Sequence, residues 1–422
     1  MSDLSMGRLL TQLREACGRS QAEQATLLST LSGQSITRHE VSRWEHEKRL
    51  LSKFWLPYTA VSFGVDVDVL QRAVAVSRRA RRERQEVSRQ PEPDMGYDMH
   101  RRQFMRSFAG FAIGLPHLDI SKNSNIGFGE VSQLVTRTAR IRRIDDYIGG
   151  IASYDLYASE LAWTEAFAKR INCTEGVQQA LVGVIAEQAQ MAGWAAFDAG
   201  MNDQARRHWK RSKDAARDAR SPTLEGNSLA FMAYLESVGD RPDVSTAIAS
   251  YVTAEKYATP KVRALLLERM AWTHAVTRDF QATHRALALA EEAIHEDGNE
   301  KEPDWVFWVD PVEIQIMTGR CWTELQRPLR AVPTLEKALK QYSDMHARDK
   351  ALYSTWLAKA YFDAGEPEQA ALTIDQSLNL AVGVGSVRPF SRIKKVARLL
   401  ESHRSSPTVQ RMLDRVERAI PE

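Results

Sequence analysis

Cysteine is scarce, with three residues in 422, at Cys17, Cys173 and Cys321. So few thiols, so far apart, exclude a disulfide-stapled scaffold and a clustered thiolate metal site. Reduced thiols in a cytoplasmic protein are the expected state. Long apolar runs are missing too: nothing approaches the ~18 consecutive residues of a membrane span. The start, Met1-Ser-Asp-Leu, has neither the basic nor the apolar region of a secretion signal, so no membrane partner is expected. An excess of one charge is absent as well, since 57 basic residues face 54 acidic ones for a net of +3. The ten histidines show no ligand spacing beside cysteine or carboxylate. There is no phosphate-cradling Walker loop, no dinucleotide glycine fingerprint and no His-Glu-x-x-His. Gly383-Val-Gly385 lacks a third glycine and lies in a helical context. No Ser/His/Asp grouping can be assembled. These absences argue against an enzyme and against a bound cofactor or metal.

What is present is an ordinary globular composition, 43% hydrophobic and 26% charged. The length suits two to four domains, or one small domain and a repeat array. Charge is uneven. Residues 1–90 hold 15 basic and 10 acidic side chains, so the basic excess sits in the first fifth of the chain. Much of it is one run, Arg78, Arg79, Arg81, Arg82 and Arg84. Such asymmetry points to an N-terminal part that meets a polyanion; a solvated linker helix would account for the arginine run equally well.

In residues 1–75 the apolar spacing predicts five short helices. Leu9, Leu10 and Leu13 share one face of the first. Ser20 and Glu23 have capping-box spacing, so the second starts at Ser20, with Ala25, Leu27, Leu28 and Leu31 as its apolar face. After a polar break at Ser32-Gly33-Gln34-Ser35, Thr37 is the expected N-cap of the third. Val41 and Trp44 then face the core, which turns Arg38, His39, Ser42 and Arg43 outward. Basic and small polar side chains at the start of a helix suit base edges in a major groove. Segments around Leu56–Phe63 and Val65–Val74 complete the unit.

The residues Ser20, Gln21, Ala25, Val41, Ser42, Trp44 and Glu45 resemble the pattern of the Xre-type (lambda-repressor-like) helix-turn-helix domain, and Thr37-Arg-His-Glu-Val-Ser-Arg-Trp-Glu is similar to actinobacterial members. The resemblance implies that Gln21 touches the DNA backbone, that Thr37, Arg38, His39, Ser42 and Arg43 lie in or beside the groove, and that Lys48 and Arg49 grip phosphate. Three features depart from the pattern. Gln24 stands where an apolar residue is usual, Glu47 where a small one is, and the stretch from Leu28 to Val41 is about six residues longer. A five-helix domain used for protein contacts is the plain alternative.

Residues 76–129 read as a basic, then apolar, linker. Gln90-Pro-Glu-Pro marks a break. The stretch from Arg101-Arg102-Gln-Phe104-Met105 resembles a twin-arginine export signal, but it lies about a hundred residues into the chain. An apolar linker packed on the C-terminal array fits better. Ser121-Lys-Asn-Ser-Asn has the polar composition of a loop.

From 130 to 422 the periodicity is helical throughout. Leu357, Ala358, Tyr361, Gly365, Ala370 and Ile374 resemble a tetratricopeptide repeat. Further copies are Gly193/Ala196/Gly200 with Ala205 and Trp209, and Gly319/Trp322 with Ala331, Leu335 and Ala338. Weaker ones surround Ala247/Tyr251/Ala254 and Ala271/Thr283/Leu287. The second-helix anchors at 205, 247, 283, 331 and 370 are spaced more widely than the ~34 residues of a strict repeat. Stacked helix pairs imply a solenoid whose concave face binds a peptide or protein segment. Trp305, Phe307 and Trp308 are three aromatics within four residues; they would wall a pocket or pack between repeats. Asn227, Arg269 and Asp310, on expected first helices, are candidate ligand contacts together with Trp305 and Trp308.

The expectation is therefore an all-α chain in which a five-helix helix-turn-helix domain joins a tetratricopeptide-like α-solenoid. The layout resembles peptide-sensing regulators of Gram-positive bacteria. That implies a cytoplasmic, homodimeric transcriptional regulator of double-stranded DNA with an inverted-repeat operator. A small peptide or partner protein would bind the repeats. The alternative is an interaction scaffold whose helix-turn-helix does not read DNA.

Overall fold

The computed structural model describes residues 5–17, 19–32, 34, 36–86, 126–143, 150–239, 241–298, 300–342, 346–382 and 386–420. All regular elements among them are helices. The chain divides into two units, Met1–His117 and Leu118–Glu422. The breaks expected at 90–93 and 121–125, the Arg101-Arg102 segment and the Gly383-Val-Gly385 pair lie outside the described residues.

The first unit holds α1 (Met6–Ala16), α2 (Gln21–Ser32), α3 (Arg38–Glu45), α4 (Trp55–Phe63) and α5 (Val67–Glu86). Its core gathers Met6, Leu10, Ala25, Leu28, Val41, Trp44, Leu51, Leu56, Ala60 and Leu70. The capping box forms. Ser20 donates its N–H to Glu23 at 2.7 Å, and Ser20 Oγ accepts from Glu23 N at 3.2 Å. Thr37 does precede α3 with extended backbone, but its side chain makes no capping bond. Leu31 is not a core residue of α2; it is 37% exposed, because α2 buries Gln24, Ala25 and Leu28 instead. α5 runs past residue 75 to Glu86, so the arginine run begins on a helix, as the linker-helix reading has it.

Two unusual residues of this unit have physical reasons. Gln24 is 1% exposed yet satisfied at both ends: Nε2 donates to Ser62 Oγ at 2.7 Å, and Oε1 accepts from Arg19 Nη1 at 3.2 Å. Glu47 adopts φ +53, a left-handed backbone that favours a residue without Cβ. Its carboxylate offsets that strain by accepting from Gly7 N at 2.9 Å and from Ser77 Oγ at 2.8 Å. Ser77 Oγ in turn accepts from Met6 N, so two orphan donors at the start of α1 are satisfied.

The second unit holds α6 (Phe128–Arg142), α7 (Gly150–Ala168) and then five helical hairpins. These are α8–α9 (Glu175–Asp198, Asn202–Asp218), α10–α11 (Pro222–Val238, Val244–Ala254), α12–α13 (Pro260–Val276, Phe280–Ile294), α14–α15 (Pro311–Glu324, Pro328–Leu339) and α16–α17 (Ala347–Asp363, Pro367–Ala381). α18 (Arg388–Leu400) and α19 (Pro407–Ala419) come last. The first helix of each hairpin packs on its own partner and on the first helix of the next hairpin. Each anchor position (Ala205, Ala247, Thr283, Ala331, Ala370) is the fourth residue of its second helix, and all are 0–1% exposed. Twelve residues before four of them stand Gly193, Ala271, Gly319 and Ala358, small residues that let the two backbones approach. At Gly193 an added Cβ would collide with the Trp209 indole, and at Gly319 it would meet Leu335 Cγ at 2.5 Å.

The turns inside four of these hairpins are alike. Gly200, Arg278, Gln326 and Gly365 all take φ between +55 and +81. In each, the next N–H reaches back to a carbonyl five residues earlier, as from Met201 to Ala196 at 2.8 Å and from Arg327 to Trp322 at 2.8 Å. This double-bonded C-cap stops the first helix and starts the second at a fixed angle.

The two ends of the hairpin series meet. Val387 N donates to Asp198 O at 3.1 Å, and Ser386 Oγ donates to Asp198 Oδ1 at 2.8 Å, across 188 residues of sequence. The start of α18 is thereby fastened to the end of α8, and the inner face of the first helices is spanned rather than left open.

Candidate functional site

Each unit holds some of the residues singled out from the sequence as candidate contacts. In the first, α3 buries Val41 and Trp44 and leaves Arg38, His39 and Arg43 exposed, with Ser42 half-buried. Lys48 and Arg49 are exposed just beyond its end. Arg43 Nη1 and Arg49 Nη1 both donate to the Glu40 carboxylate, at 2.9 and 3.2 Å. The end of α3 is held by Glu45, which takes a two-pronged bond from Arg14, Nε to Oε1 at 2.6 Å and Nη2 to Oε2 at 3.0 Å. Gln21 Nε2 also donates to Glu45, at 2.7 Å, which fixes the start of α2 to α3.

In the second unit, a cavity of about 480 Å³ opens among the first helices of the hairpins, within the roughly 300–1,000 Å³ of small-molecule sites. Glu187, Gln190, Met191 and Trp194 of α8 line it at helical spacing, as do Asn227, Phe231 and Tyr234 of α10. All five expected ligand contacts (Asn227, Arg269, Trp305, Trp308 and Asp310) line this one cavity. Three of them also hold structure. Asp310 caps α14 by accepting from Glu313 N at 2.9 Å, Asn227 donates to Gln190 Oε1 at 2.8 Å, and Trp308 Nε1 donates to Trp305 O at 3.1 Å.

No family model and no curated protein matches this chain.

Its chemistry must therefore be built from its own residues. The centre of the cavity wall is Tyr234, 1% exposed. Its hydroxyl accepts from Arg320 Nη2 at 2.8 Å and from Arg388 Nη2 at 3.2 Å, and Arg269 lies 4.7 Å over its ring. Burial alone would push the phenol up. The three guanidiniums outweigh burial and bring it down to about 8. Arg320 is itself 1% exposed and caged by rings, 4.1 Å from Trp356 and 4.5 Å from Trp272. Arg388 stacks on Trp194 and Phe197 and pairs with Asp198 at 3.6 Å.

The acids lining the cavity are engaged. Glu187 is paired with Arg142 at 2.5 Å, and Asp349 with Arg348 at 3.2 Å. Burial would raise the Asp349 carboxyl, but Arg348 holds it below its usual range. Glu313 is pushed up by burial and accepts from Tyr342 at 2.8 Å and Tyr353 at 3.0 Å. Behind the wall, Glu268 is fully buried and neither of its oxygens has a hydrogen bond. Burial pushes it up to about 8 although Arg269 Nε lies 3.1 Å away.

Tyr234, Arg320, Arg388 and Glu313 were not among the expected contacts. One signal does point to some of them: charged residues inside otherwise apolar first helices, such as Glu268-Arg269, Glu313 and Arg320. A buried charge is the informative departure from an apolar core. Among the described residues no group of three His, Cys, Asp or Glu could hold a metal, and no helix is long and apolar enough to cross a membrane.

Proposed function

We propose that this protein is a cytoplasmic, sequence-specific DNA-binding transcriptional regulator. In this reading, α2 and α3 are an Xre-type helix-turn-helix, and the hairpin series is a tetratricopeptide-like domain that dimerises, binds a signalling peptide or partner protein, or does both. The observation that carries the reading is the division of α3. Val41 and Trp44 are buried while Arg38, His39 and Arg43 stand exposed, followed by exposed Lys48 and Arg49. A short helix fixed at its back, with a basic outer face, suits insertion into a major groove. Lys48 and Arg49 lie where phosphates would flank it. Gln21, tied to Glu45, would hold the start of α2 against the backbone. A homodimer would meet an inverted repeat with half-sites about one helical turn apart.

Capture of fragmented genomic DNA by the full chain, followed by sequencing, tests this. Sharp peaks that share an inverted repeat support it. Binding to a peak sequence should weaken steeply with salt, in proportion to the phosphates contacted. Arg43→Ala with His39→Ala should cost about 1–3 kcal/mol of sequence discrimination per lost base contact. A flat capture profile at low salt, or unchanged sequence preference in the double variant, refutes the assignment of α3 as the reading helix.

A further inference from the structure

Arg269 is a buried charge on the cavity wall. It is 6% exposed, lines the cavity, and among the described residues its guanidinium makes no hydrogen bond. Four of the five N–H donors of its planar fork lie on the Nη1 and Nη2 edge, beyond the Nε that faces Glu268. Its one close acid, Glu268, approaches without hydrogen-bond geometry. The rings of Tyr234 and Trp308 flank it at 4.7 and 5.8 Å, so its orientation is set by stacking and its edge remains for a ligand. Arg320 and Arg388 spend donors on the neighbouring Tyr234 hydroxyl. The cavity wall is also aromatic, with Trp194, Phe231 and Trp308.

We propose that this cavity binds a carboxylate carried on an aromatic body, with the carboxylate seated on the Arg269 fork and the ring among Trp194, Phe231 and Trp308. A planar two-oxygen acceptor matches a guanidinium held between two rings. A single negative charge suits the site better than a doubly charged phosphate, because Arg142 and Arg348 are paired with Glu187 and Asp349, and Arg320 and Arg388 spend donors on Tyr234, which leaves the Arg269 fork to meet it. The group has two sources, a free aryl carboxylic acid or the C-terminal aromatic residue of a short peptide. The inference names the ligand chemistry of the regulator proposed above, and its test does not depend on DNA.

The full chain is titrated by calorimetry with 3-phenylpropionate, indole-3-acetate and the tripeptide Gly-Gly-Phe, and with the carboxamide of each. At least one acid should bind, and its carboxamide should bind tenfold or more weakly, the loss expected when a charged hydrogen-bond partner is removed. Arg269→Gln should lose affinity for the acid to the same degree while leaving the weak binding of the carboxamide unchanged. Tighter binding of the tripeptide assigns the group to a peptide terminus, and tighter binding of the small acids assigns it to a free acid. Equal binding of acid and carboxamide overturns the proposal, and so does no binding of any probe at millimolar concentration. Should Arg269→Gln fail to fold, the comparison of acid with carboxamide on the unaltered chain still decides. Ligand binding without DNA capture would sink the regulator and leave this inference standing; the reverse result would do the opposite.

Discussion

Among the described tyrosines, Tyr234 should be the first to ionise, and Arg388 should be part of the cause. Its phenol is lowered from the usual value near 10 to about 8, in spite of complete burial. That difference is worth about 2.7 kcal/mol in favour of the phenolate, at ~1.36 kcal/mol per tenfold change. A unit charge at ~4 Å contributes about 4 kcal/mol at an effective dielectric constant of ~20. One of the three guanidiniums therefore exceeds the whole net effect. Arg388 is the one to remove, because it lies in the first turn of α18 and its side chain is 13% exposed. Arg320, in contrast, is enclosed by four rings. Arg388→Gln should return Tyr234 to 10 or above. The assay is phenolate absorbance against pH, with the Tyr234→Phe curve subtracted. The background is favourable. Tyr342, Tyr353 and Tyr361 are all pushed up by burial, Tyr361 to about 12. At pH 9 Tyr234 should be about nine-tenths ionised and an ordinary tyrosine about one-tenth. Because its folded value lies below the unfolded one, this group adds stability as pH rises from 8 to 10, fully present above 10 and lost as pH falls through 8. Burial pushes Cys321 up, which opposes this gain above its ordinary range, so the spectroscopic step is the cleaner measure. A subtracted curve with no step below pH 9 would refute the reasoning, as would a step that Arg388→Gln leaves in place.

Gly193→Ala should destabilise the protein by about 2–3 kcal/mol in denaturant titration, because the new methyl collides with a rigid indole. Gly319→Ala should cost only about 1 kcal/mol, since Leu335 can change rotamer and alanine favours the helix; equal costs would show that the indole is not the obstacle. Glu268→Gln should stabilise at pH 8, where the buried carboxyl is held in an unfavourable balance. The gain should fade toward pH 4, because a folded value raised to about 8 loses its contribution as pH climbs from the unfolded value; a pH-independent difference in denaturant midpoint would contradict this. Glu45→Ala should cost about 1–3 kcal/mol by leaving Arg14 and Gln21 without their shared acceptor, read as a drop in melting temperature. A change within error would mean that the two-pronged bond does not hold α3.

Local signals carried well from sequence to structure. The Ser20–Glu23 box, the Val41/Trp44 pair and the five second-helix anchors depend on spacings of three, four or twelve residues, and such spacings are visible in a single chain. Thr37 preceded a helix as expected but did not cap it through its side chain, because position and hydrogen bond are separate requirements. Leu31 failed for a related reason. Helical period places a residue on a face, yet only neighbouring helices decide how far that face is covered, and Gln24 took the buried place instead. α5 runs on past residue 75 because arginine-rich sequence is a good helix former. Asn227 and Arg269 fell together in the cavity because first helices present one face inward, which periodicity does reveal, whereas Asp310 lies just before α14, as its N-cap, and not on the expected helix.

The cluster around Tyr234 was not legible by any local rule, and the geometry of closure explains why. Tyr234, Arg320 and Arg388 come from α10, α14 and α18, and they meet beside the point where Ser386 and Val387 bind Asp198 at the end of α8. The same junction sets Arg388 beside Trp194 and Asp198 and gives the Tyr234 hydroxyl one of its two donors. The charge pattern and the closure are thus one feature. A hairpin series that leaves its inner face open can keep that face solvated, whereas one whose ends are fastened must satisfy each inward charge with another. Arg142, Arg348 and Arg388 are satisfied by acids and Arg320 by aromatic rings and Tyr234. Arg269 is the inward charge for which stacking supplies position without a hydrogen-bonded acceptor. An acceptor from outside the chain would complete the set.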